Sequence, residues 1–319
     1  MKDVAKAAGV SLGTVSKVVN RSGYVSPEIK ERVLLAISLL NYKPNGIARS
    51  LKNAKTNLIG VVLPNLEDIY LLRILKSIES ITARMGYKII YCSTNNEISR
   101  EIKLLQWLIE KRVDGILLYP SSEELTDVEI PSSIPIVLLE RSLKQYQITT
   151  VMHENVDICR KLIEPLVFKG NQNFIFLHGP QSDSIELSRI KGFKKTIEHF
   201  GLNKANQIFV EIDIRNGCND LASYIKEQLH RAEMAECIIA SNPVLLAEAV
   251  KILSKWDKNM EVSGFGEVDP YGLLSPKLRT AIEQPDELVS VALDVLFDKI
   301  IDQTKITSKY FYITLKINE

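Results

Sequence analysis

Cysteine is scarce in this chain and is not arranged for disulfide or metal chemistry. Four of the 319 residues are cysteine, and no two of them form a pairing motif. The pattern predicts neither a disulfide framework nor a zinc site, and it indicates reduced thiols that mostly pack in the interior. The four are Cys92, Cys159, Cys218 and Cys237.

Long apolar runs are also missing. No stretch approaches eighteen consecutive apolar residues, so no transmembrane helix is expected. The first residues lack the apolar core of a signal peptide, because Lys2, Asp3 and Lys6 interrupt them. We therefore expect a cytoplasmic protein with no membrane partner.

The usual signatures of enzymes are absent too. The chain has no GxGxxG after its first predicted strand, no P-loop, no metal-ligand spacing and no nucleophile motif. Its histidines are isolated in sequence, and each is expected to be a surface residue or a satisfied core residue. We predict no catalytic residue, no metal and no cofactor, so the protein is not expected to be an enzyme. The histidines are His153, His178, His199 and His230.

The charge that is present is unevenly divided. Residues 1–56 carry a net charge of +7, whereas the whole chain carries +1 and the remainder therefore −6. A basic head on an acidic body is typical of a small DNA-binding module joined to a larger domain that does not bind DNA. A solvated basic surface is the alternative.

The first twenty residues predict two short helices joined by a turn. A helix over residues 3–8 ends at Gly9, because glycine readily adopts the left-handed conformation that closes a helix. Ser11 is a suitable N-cap for the next helix. This spacing favours a helix-turn-helix, whose second helix enters the major groove; an ordinary αα-hairpin is the alternative. The predicted inner faces are Val4, Ala7 and Ala8, followed by Val15, Val18 and Val19.

Two further helical segments are predicted before residue 53. Ser26 and Pro27 are a cap and a first helical residue, and they open a third helix that runs to about Leu40. Residues 45–52 predict a short and weak helix, since glycine and small residues lower helix propensity. A flexible linker is the alternative there. The apolar face of the third helix is predicted to be Ile29, Val33, Ala36, Ile37 and Leu40.

From residue 57 onwards, apolar strand runs alternate with helical segments. This alternation, with short loops, predicts βαβ units and parallel sheets, and it begins again near residue 156, which predicts two similar lobes. The predicted strands cover residues 58–64, 87–92, 115–119, 135–139, 149–152, 173–177, 208–212, 237–240 and 262–265. The predicted helices cover residues 69–85, 99–111, 156–169, 188–200, 217–231, 243–255 and 285–301.

The first part of the chain resembles the DNA-binding headpiece of LacI/GalR-type transcription regulators, and the resemblance continues more weakly to its end. It is carried by Asp3-Val4-Ala5, Ala8-Gly9-Val10-Ser11, Thr14-Val15-Ser16, Val18-Val19-Asn20, Val25-Ser26, Asn41-Tyr42, Pro44-Asn45, Ala48-Arg49 and Leu51. The resemblance implies an α/β fold with a small all-α headpiece over residues 1–56. A two-lobed, periplasmic-binding-protein-like core over residues 57–319 is implied to follow, with the effector in the cleft between lobes.

The resemblance also implies how the lobes are threaded. Lobe 1 would comprise residues 57–154 and 283–308, and lobe 2 residues 155–282 and 309–319. The chain would cross between them near Glu154, Ile282 and Lys309, and residues 310–317 would form a final strand pair.

Base reading is assigned through the resemblance to Leu12, Gly13 and Lys17. Lys17 is the one long donor among them and can reach guanine N7 and O6. Leu12 offers apolar contact, whereas Gly13 reads nothing directly. The leucine that matches Leu51 wedges into the minor groove from a hinge helix, a known way to kink DNA. Phosphate contacts are implied for Ser11, Thr14, Ser16, Asn20 and Ser26, and Tyr42, Asn45 and Ala48 complete the predicted interface. The chain begins about two residues before the first helix, so either the arm contacts of relatives are absent or the start is assigned late.

The implied effector residues are Tyr70, Asn155, Arg189, Asn242 and Glu267. Arg189 matches an arginine of the family that faces the cleft and clamps ligand, although a solvated or capping role is the alternative for each residue. The family's aspartates are replaced by Pro243 and Gly266, so an anionic effector such as a sugar phosphate is expected. Glu154 and Glu267 oppose this if they neutralise Arg189, in which case the cleft would bind no small molecule. An unusual neutral ligand is a further alternative.

The sequence as a whole predicts a dimeric, sequence-specific repressor that binds a pseudo-palindromic operator and a small-molecule effector. A regulator without an effector, controlled by a protein partner, is one alternative. A solute-binding protein and an α/β enzyme are the others, and the basic head and the missing catalytic motifs disfavour them.

Overall fold

The computed structural model describes residues 1–20, 22–42, 55–66, 68–124, 134–214, 221–231, 234–255, 260–268, 278–302 and 309–318. It divides into two compact units, residues 1–56 and 57–319. Among the described residues, no helix is both long and apolar enough to cross a bilayer. Within the same ranges, no group of histidine, cysteine and carboxylate side chains could hold a metal ion.

The first unit is a bundle of three short helices, α1 (Lys2–Ala8), α2 (Leu12–Asn20) and α3 (Pro27–Leu39). Gly9 closes α1 in the left-handed conformation, with φ of 61°. The Ser11 hydroxyl accepts the backbone N–H of Thr14 at 3.1 Å and so caps α2. The helices pack on a small core made of Val4, Ala5, Ala8, Val15, Val18, Val33 and Ala36.

Two predicted core positions in this unit were wrong. Ala7 is exposed and Ala5 is buried instead. The buried face of α1 consists of Val4, Ala5 and Ala8, which are spaced by one and four residues from Val4. Leu40 lies past the end of α3 and is 47% exposed. The chain turns away there, since Asn41 adopts a positive φ of 46°.

The second unit contains two parallel α/β lobes. The strands of lobe 1 are β1 (Leu58–Leu63), β2 (Lys88–Ser93), β3 (Gly115–Leu118), β4 (Ile136–Leu139) and β5 (Thr150–Glu154), and its helices are α4 (Ile69–Arg84) and α5 (Ile98–Glu110). Lobe 2 contains α6 (Ile158–Phe168), β6 (Phe174–His178), α7 (Ser184–His199), β7 (Ile208–Glu211), α8 (Leu221–Arg231), β8 (Cys237–Ala240), α9 (Pro243–Leu253), β9 (Glu261–Phe265) and β10 (Arg279–Ile282). The chain continues with α10 (Pro285–Ile301), β11 (Tyr310–Thr314) and β12 (Lys316–Asn318).

Each lobe is built on one six-stranded sheet. The order is β11-β5-β4-β3-β1-β2 in lobe 1 and β12-β10-β9-β8-β6-β7 in lobe 2. All neighbouring strands are parallel except the β10–β12 pair. Helix α10 packs into the core of lobe 1, where Leu288 and Leu293 are fully buried. The alternation of strands and helices therefore produced the α/β layers that the sequence predicted.

The third crossing between lobes lies elsewhere than predicted. The chain passes to lobe 2 after Glu154 and returns after Ile282, but it crosses again at Leu315 and not near Lys309. Strand β11 pairs in parallel with β5, whereas β12 pairs with β10. Residues 310–317 are therefore not a strand pair, because one buried residue, Leu315, separates two strands that belong to different sheets.

Two helix starts differ from the prediction for reasons of capping. Helix α7 begins at Ser184 and not at Ser188, because the Asp183 carboxylate accepts the N–H of Ile185 at 3.0 Å. Helix α6 begins at Ile158, since the Glu154 carboxylate already binds the two preceding backbone N–H groups at 2.8 Å each. The predicted start of α8 near residue 217 lies outside the described residues.

Candidate functional site

The exposed face of α2 carries the side chains that the sequence assigned to base reading. Leu12, Gly13 and Lys17 are all exposed, and Leu12 keeps 47% of its surface. Val15 and Val18 hold the opposite face in the core. The surface required of a recognition helix is therefore present, with one long cation in it.

Polar side chains run along the same helix. The hydroxyls of Ser11 and Thr14 lie 2.9 Å apart, and Asn20 donates to the Ser16 hydroxyl at 3.1 Å. These bonds order groups of the kind that contact phosphates. Ser26 is half-buried and makes no side-chain cap bond to α3.

The remaining predicted DNA contacts are less exposed or are not described. Tyr42 is half-buried and packs against the core of the first unit. Asn45, Ala48 and Leu51 lie outside the described residues. Sequence reasoning also missed Arg32, whose Nη2 donates to the Ala8 carbonyl at 2.6 Å and ties α3 to the end of α1.

In the second unit, two ion pairs join the lobes where loops follow the carboxyl ends of the strands. Arg141, just after β4, lies 2.5 Å from Asp183 at the start of α7, and both side chains are mostly buried. Arg73 of α4 lies 2.5 Å from Glu267, which follows β9, and this pair is more exposed. Open α/β sheets bind ligands outside the carboxyl ends of their strands. We call the region between these two ion pairs the cleft.

Arg189 of α7 is buried in lobe 2, and each of its three side-chain nitrogens donates to a protein group. Its Nε donates to Asn155 at 2.8 Å, its Nη1 to the Ser241 carbonyl at 2.5 Å and its Nη2 to Glu283 at 2.9 Å. The guanidinium also lies 4.1 Å from the ring centre of Phe265. Burial lowers the pKa of Arg189, but Glu283 and neighbouring carboxylates outweigh this and raise it.

The two predicted asparagines have protein partners as well. Asn155 accepts from Arg189 and donates to the His153 carbonyl at 3.2 Å. Asn242 caps α9 by accepting the N–H of Leu245 at 3.0 Å, and its amide donates to Glu186 at 2.9 Å. The capping role that was the alternative for Asn242 is therefore present.

Neither carboxylate suspected of neutralising Arg189 reaches it. Glu154 binds backbone N–H groups before α6, and Glu267 lies beside Arg73. The neutralising group is instead Glu283, which lies in the second crossing. Sequence reasoning missed it because it stands 94 residues from Arg189.

Tyr70 belongs to a buried cluster that sequence reasoning did not find. Its hydroxyl donates to Glu140 in a short hydrogen bond. His153 Nδ1 lies 2.6 Å from the same carboxylate, and the backbone N–H of Gln284 donates to His153 Nε2 at 2.8 Å. Because Nε2 accepts, the proton of the neutral ring lies on Nδ1, facing Glu140.

The environment of Glu140 favours its charged form. Burial raises the pKa of this carboxyl, but His153 and the hydrogen bonds from His153 and Tyr70 outweigh burial and lower it. Burial raises the pKa of Tyr70 well above its ordinary value, and Glu140 raises it further. Glu140 holds this position with a positive φ of 63°, an uncommon conformation for a residue other than glycine.

Carboxylates outnumber guanidiniums in the cleft. Three arginines there are each paired with one carboxylate, in the pairs Arg141–Asp183, Arg73–Glu267 and Arg189–Glu283. Three more carboxylates, Asp68, Glu140 and Glu186, lie around them; Asp68 caps α4 and burial raises its pKa. Each arginine among these is therefore paired with a carboxylate of the protein itself.

Comparison with known proteins agrees with this architecture. Residues 1–45 match the family model described as bacterial regulatory proteins, lacI family. Residues 56–271 match periplasmic binding proteins and sugar binding domain of LacI family.

Several curated relatives extend over nearly the whole chain. A ribose operon repressor of Halalkalibacterium halodurans is 31% identical over 97% of this chain and 93% of its own. A ribose operon repressor of Bacillus subtilis is 29% identical over 99% and 97%. The HTH-type transcriptional repressor PurR of Edwardsiella ictaluri is 28% identical over 94% and 90%.

Solved structures share the fold at lower identity. The lac repressor dimer bound to operator and the anti-inducer ONPF superposes with a TM-score of 0.83 at 22% identity, covering 99% of this chain and 96% of that one. A complex of the regulator CelR with cellobiose gives 0.71 at 21% identity, covering 100% and 98%.

Proposed function

This chain belongs to the LacI family of bacterial regulatory proteins, and from that premise we propose that the effector in its cleft is a neutral sugar. The protein is a DNA-binding transcription repressor with an effector-regulated core. Its chemistry is recognition, and no catalytic step, metal or cofactor enters the proposal. The proposed site of action is the cytoplasm, where its DNA partner lies.

The observation that carries the proposal is the pairing of Arg189 with Glu283 at 2.9 Å. Arg189 is already neutralised, hydrogen-bonded and stacked, so it would contribute little binding energy to an anionic ligand. An anion placed beside it would also be repelled by the charge of Glu283. Surplus carboxylates suit sugar hydroxyls, which donate charge-assisted hydrogen bonds to them. Relatives named ribose operon repressors support a sugar of this kind.

The proposed partner of the first unit is a pseudo-palindromic operator read by a homodimer. Lys17 would read a base, while Leu12 and Gly13 would allow close approach to the groove. Helix-turn-helix dimers read two half-sites related by the protein's two-fold symmetry. Ser11, Thr14, Ser16, Asn20 and Ser26 are proposed as phosphate contacts, joined by Tyr42, Asn45, Ala48 and the wedge Leu51.

Calorimetry on the full chain tests the effector. D-ribose, D-xylose and D-glucose are titrated in parallel with ribose 5-phosphate and glucose 6-phosphate. We expect a neutral sugar to bind and its phosphate ester to bind at least tenfold more weakly. Tight binding of a phosphate ester with rejection of the sugar would restore the anionic effector, and no binding by any of the five would favour control by a protein partner.

Titration with DNA tests the other half of the proposal. Affinity for random duplex should fall steeply with salt, with a log–log slope of roughly −0.9 for each phosphate contact. Residues 1–56 carry the positive charge of the chain, with a net +7. We therefore predict that residues 57–319 alone bind no DNA. Binding of random duplex that does not change with salt would contradict the role of the basic unit.

A further inference from the structure

Glu186, in the first turn of α7, has a buried carboxylate oxygen that lacks a partner. The residue is 8% exposed. Its Oε1 accepts from the Asn242 amide at 2.9 Å, but no described residue hydrogen-bonds to Oε2, which is fully shielded. A buried acceptor without a donor is costly, so native proteins rarely keep one without a use.

Glu186 does not serve the helix that carries it. Asp183 followed three residues later by Glu186 is the pattern of a capping box, in which the second side chain returns to the N-cap N–H. Here the Asp183 N–H donates instead to the Pro180 carbonyl at 3.0 Å. The Glu186 carboxylate has turned towards the loops that follow β6 and β8.

The Glu186 carboxylate packs closely against the backbone at Gly179. A Cβ added at Gly179 would lie 2.9 Å from the Glu186 carboxyl carbon. Gly266 sits with φ of 95°, and a Cβ there would meet Pro243 at 2.7 Å. Neither Pro243 nor Gly266 carries a carboxylate, whereas the Glu186 carboxylate lies against Asn242, the residue directly before Pro243.

Glu186 also lies among the groups that define the cleft. It stands between Asp183, which pairs with Arg141 of lobe 1, and Arg189, whose pKa it helps to raise. All three nitrogens of Arg189 already have other acceptors, so Arg189 does not neutralise it through a hydrogen bond.

We propose that Glu186 Oε2 is the acceptor for one hydroxyl of a neutral sugar in the cleft and sets the preference for that hydroxyl. This rests on the proposed function, since it names a contact for the effector assigned there. An uncharged hydroxyl completes the carboxylate's hydrogen bonds without adding a charge, whereas a phosphate would place two anions together.

Glu186→Gln is the matching variant, because glutamine keeps the acceptor for Asn242 and places an amide where Oε2 lies. The control is Glu198→Gln in the same helix, where the carboxylate is exposed and pairs with Lys204. Binding of D-ribose, D-xylose and D-glucose by each full-length protein is measured by calorimetry. We expect the preferred sugar to bind about tenfold to hundredfold more weakly to the Glu186 variant, the size of one hydrogen bond to a charged group, and unchanged to the control.

Monodeoxy analogues of the bound sugar separate a direct contact from a structural role. In the native chain one analogue should bind weakly because it lacks the hydroxyl that Glu186 accepts. That analogue and the parent sugar should bind alike to the Glu186 variant, since a lost interaction cannot be lost twice. If glutamine disturbs folding, Glu186→Asp keeps the acceptor chemistry for Asn242 but withdraws the carboxylate by one methylene, and it should weaken binding of the sugar in the same way.

The outcomes distinguish this proposal from the function on which it rests. Equal sugar affinity in the native chain and the Glu186 variant would overturn the role of Glu186 and leave the neutral effector standing. Failure of the native chain to bind any of the three sugars would overturn the neutral effector and this contact with it.

Discussion

At the scale of single residues, the cluster of Tyr70, Glu140 and His153 shows how burial makes a charge depend on its donors. The lowered pKa of Glu140 means that the folded chain stabilises the ionised carboxylate more than the unfolded chain does. This group therefore stabilises the fold at pH values above its unfolded pKa, and the stabilisation is lost as pH falls through the lower, folded pKa.

Removing one donor should expose that dependence. Tyr70→Phe is expected to lower the free energy of unfolding by roughly 1.5–3 kcal/mol at pH 7, the size of a hydrogen bond to a charged group. The difference from the native chain should shrink as pH falls through the lowered pKa of Glu140 and the carboxylate becomes protonated. Urea unfolding at pH 7, 5, 4 and 3 measures this difference, with Tyr312→Phe as the control, because Tyr312 is 61% exposed. A difference that does not shrink as the carboxylate becomes protonated would contradict an ionised Glu140 as the acceptor of the lost bond.

Lys17 is the residue on which operator choice is predicted to depend most. Lys17→Ala should relax base preference at one operator position and cost about 1–3 kcal/mol there. Lys30→Ala, on the exposed surface of α3, is the control for loss of a positive charge alone. Selection from randomised operators gives the answer: if both variants return the native consensus, Lys17 contacts phosphate and reads no base.

At the scale of elements, the start of α7 shows what a cap contributes. Asp183 has two functions, because Oδ1 accepts the N–H of Ile185 and Oδ2 pairs with Arg141 across the lobes. Asp183→Asn should keep the cap and lose the ion pair, whereas Asp183→Ala should lose both. We expect the alanine variant to be less stable than the asparagine variant by about 1 kcal/mol, the usual value of an N-cap.

Urea unfolding of the two variants measures that difference. The substitution Asp157→Ala is the control, since Asp157 stands at the N-cap of α6 but makes no side-chain cap bond. Equal stability of the two Asp183 variants would mean that the cap contributes nothing and that α7 is held by its packing.

The elements themselves were largely predictable, because the described strands and helices follow apolar periodicity, which the sequence states directly. Helix ends were less so. The early start of α7 was visible in Asp183 and Glu186, whose spacing is that of a capping box, yet Glu186 then bonds elsewhere. The site was less predictable still. Arg189 was identified from the sequence, but its partner Glu283 is distant along the chain. Glu140 and Arg141 likewise reach the cleft only because distant segments fold together.

At the scale of the whole molecule, residues 1–56 are basic and the rest of the chain is acidic, and the hinge helix predicted over residues 45–52 lies outside the described residues. Leu51→Ala should weaken binding to a true operator far more than binding to random duplex. A wedge stabilises the complex only where DNA can kink, at flexible pyrimidine–purine steps. Titration of both duplexes at one salt concentration tests this, and equal losses on the two would exclude a wedge.

The last crossing, at Leu315, bears on how the chain acquires its structure during translation. Helix α10 and strand β11 complete the lobe that begins at Leu58, and side chains such as Leu288 and Ile313 close its core. At about 5–20 residues per second, the ribosome must release strands β6 to β10 of lobe 2 before these segments appear. The lobe whose synthesis begins first therefore stays incomplete until almost the whole chain has been made, and its open core is the nascent surface on which chaperones are expected to act.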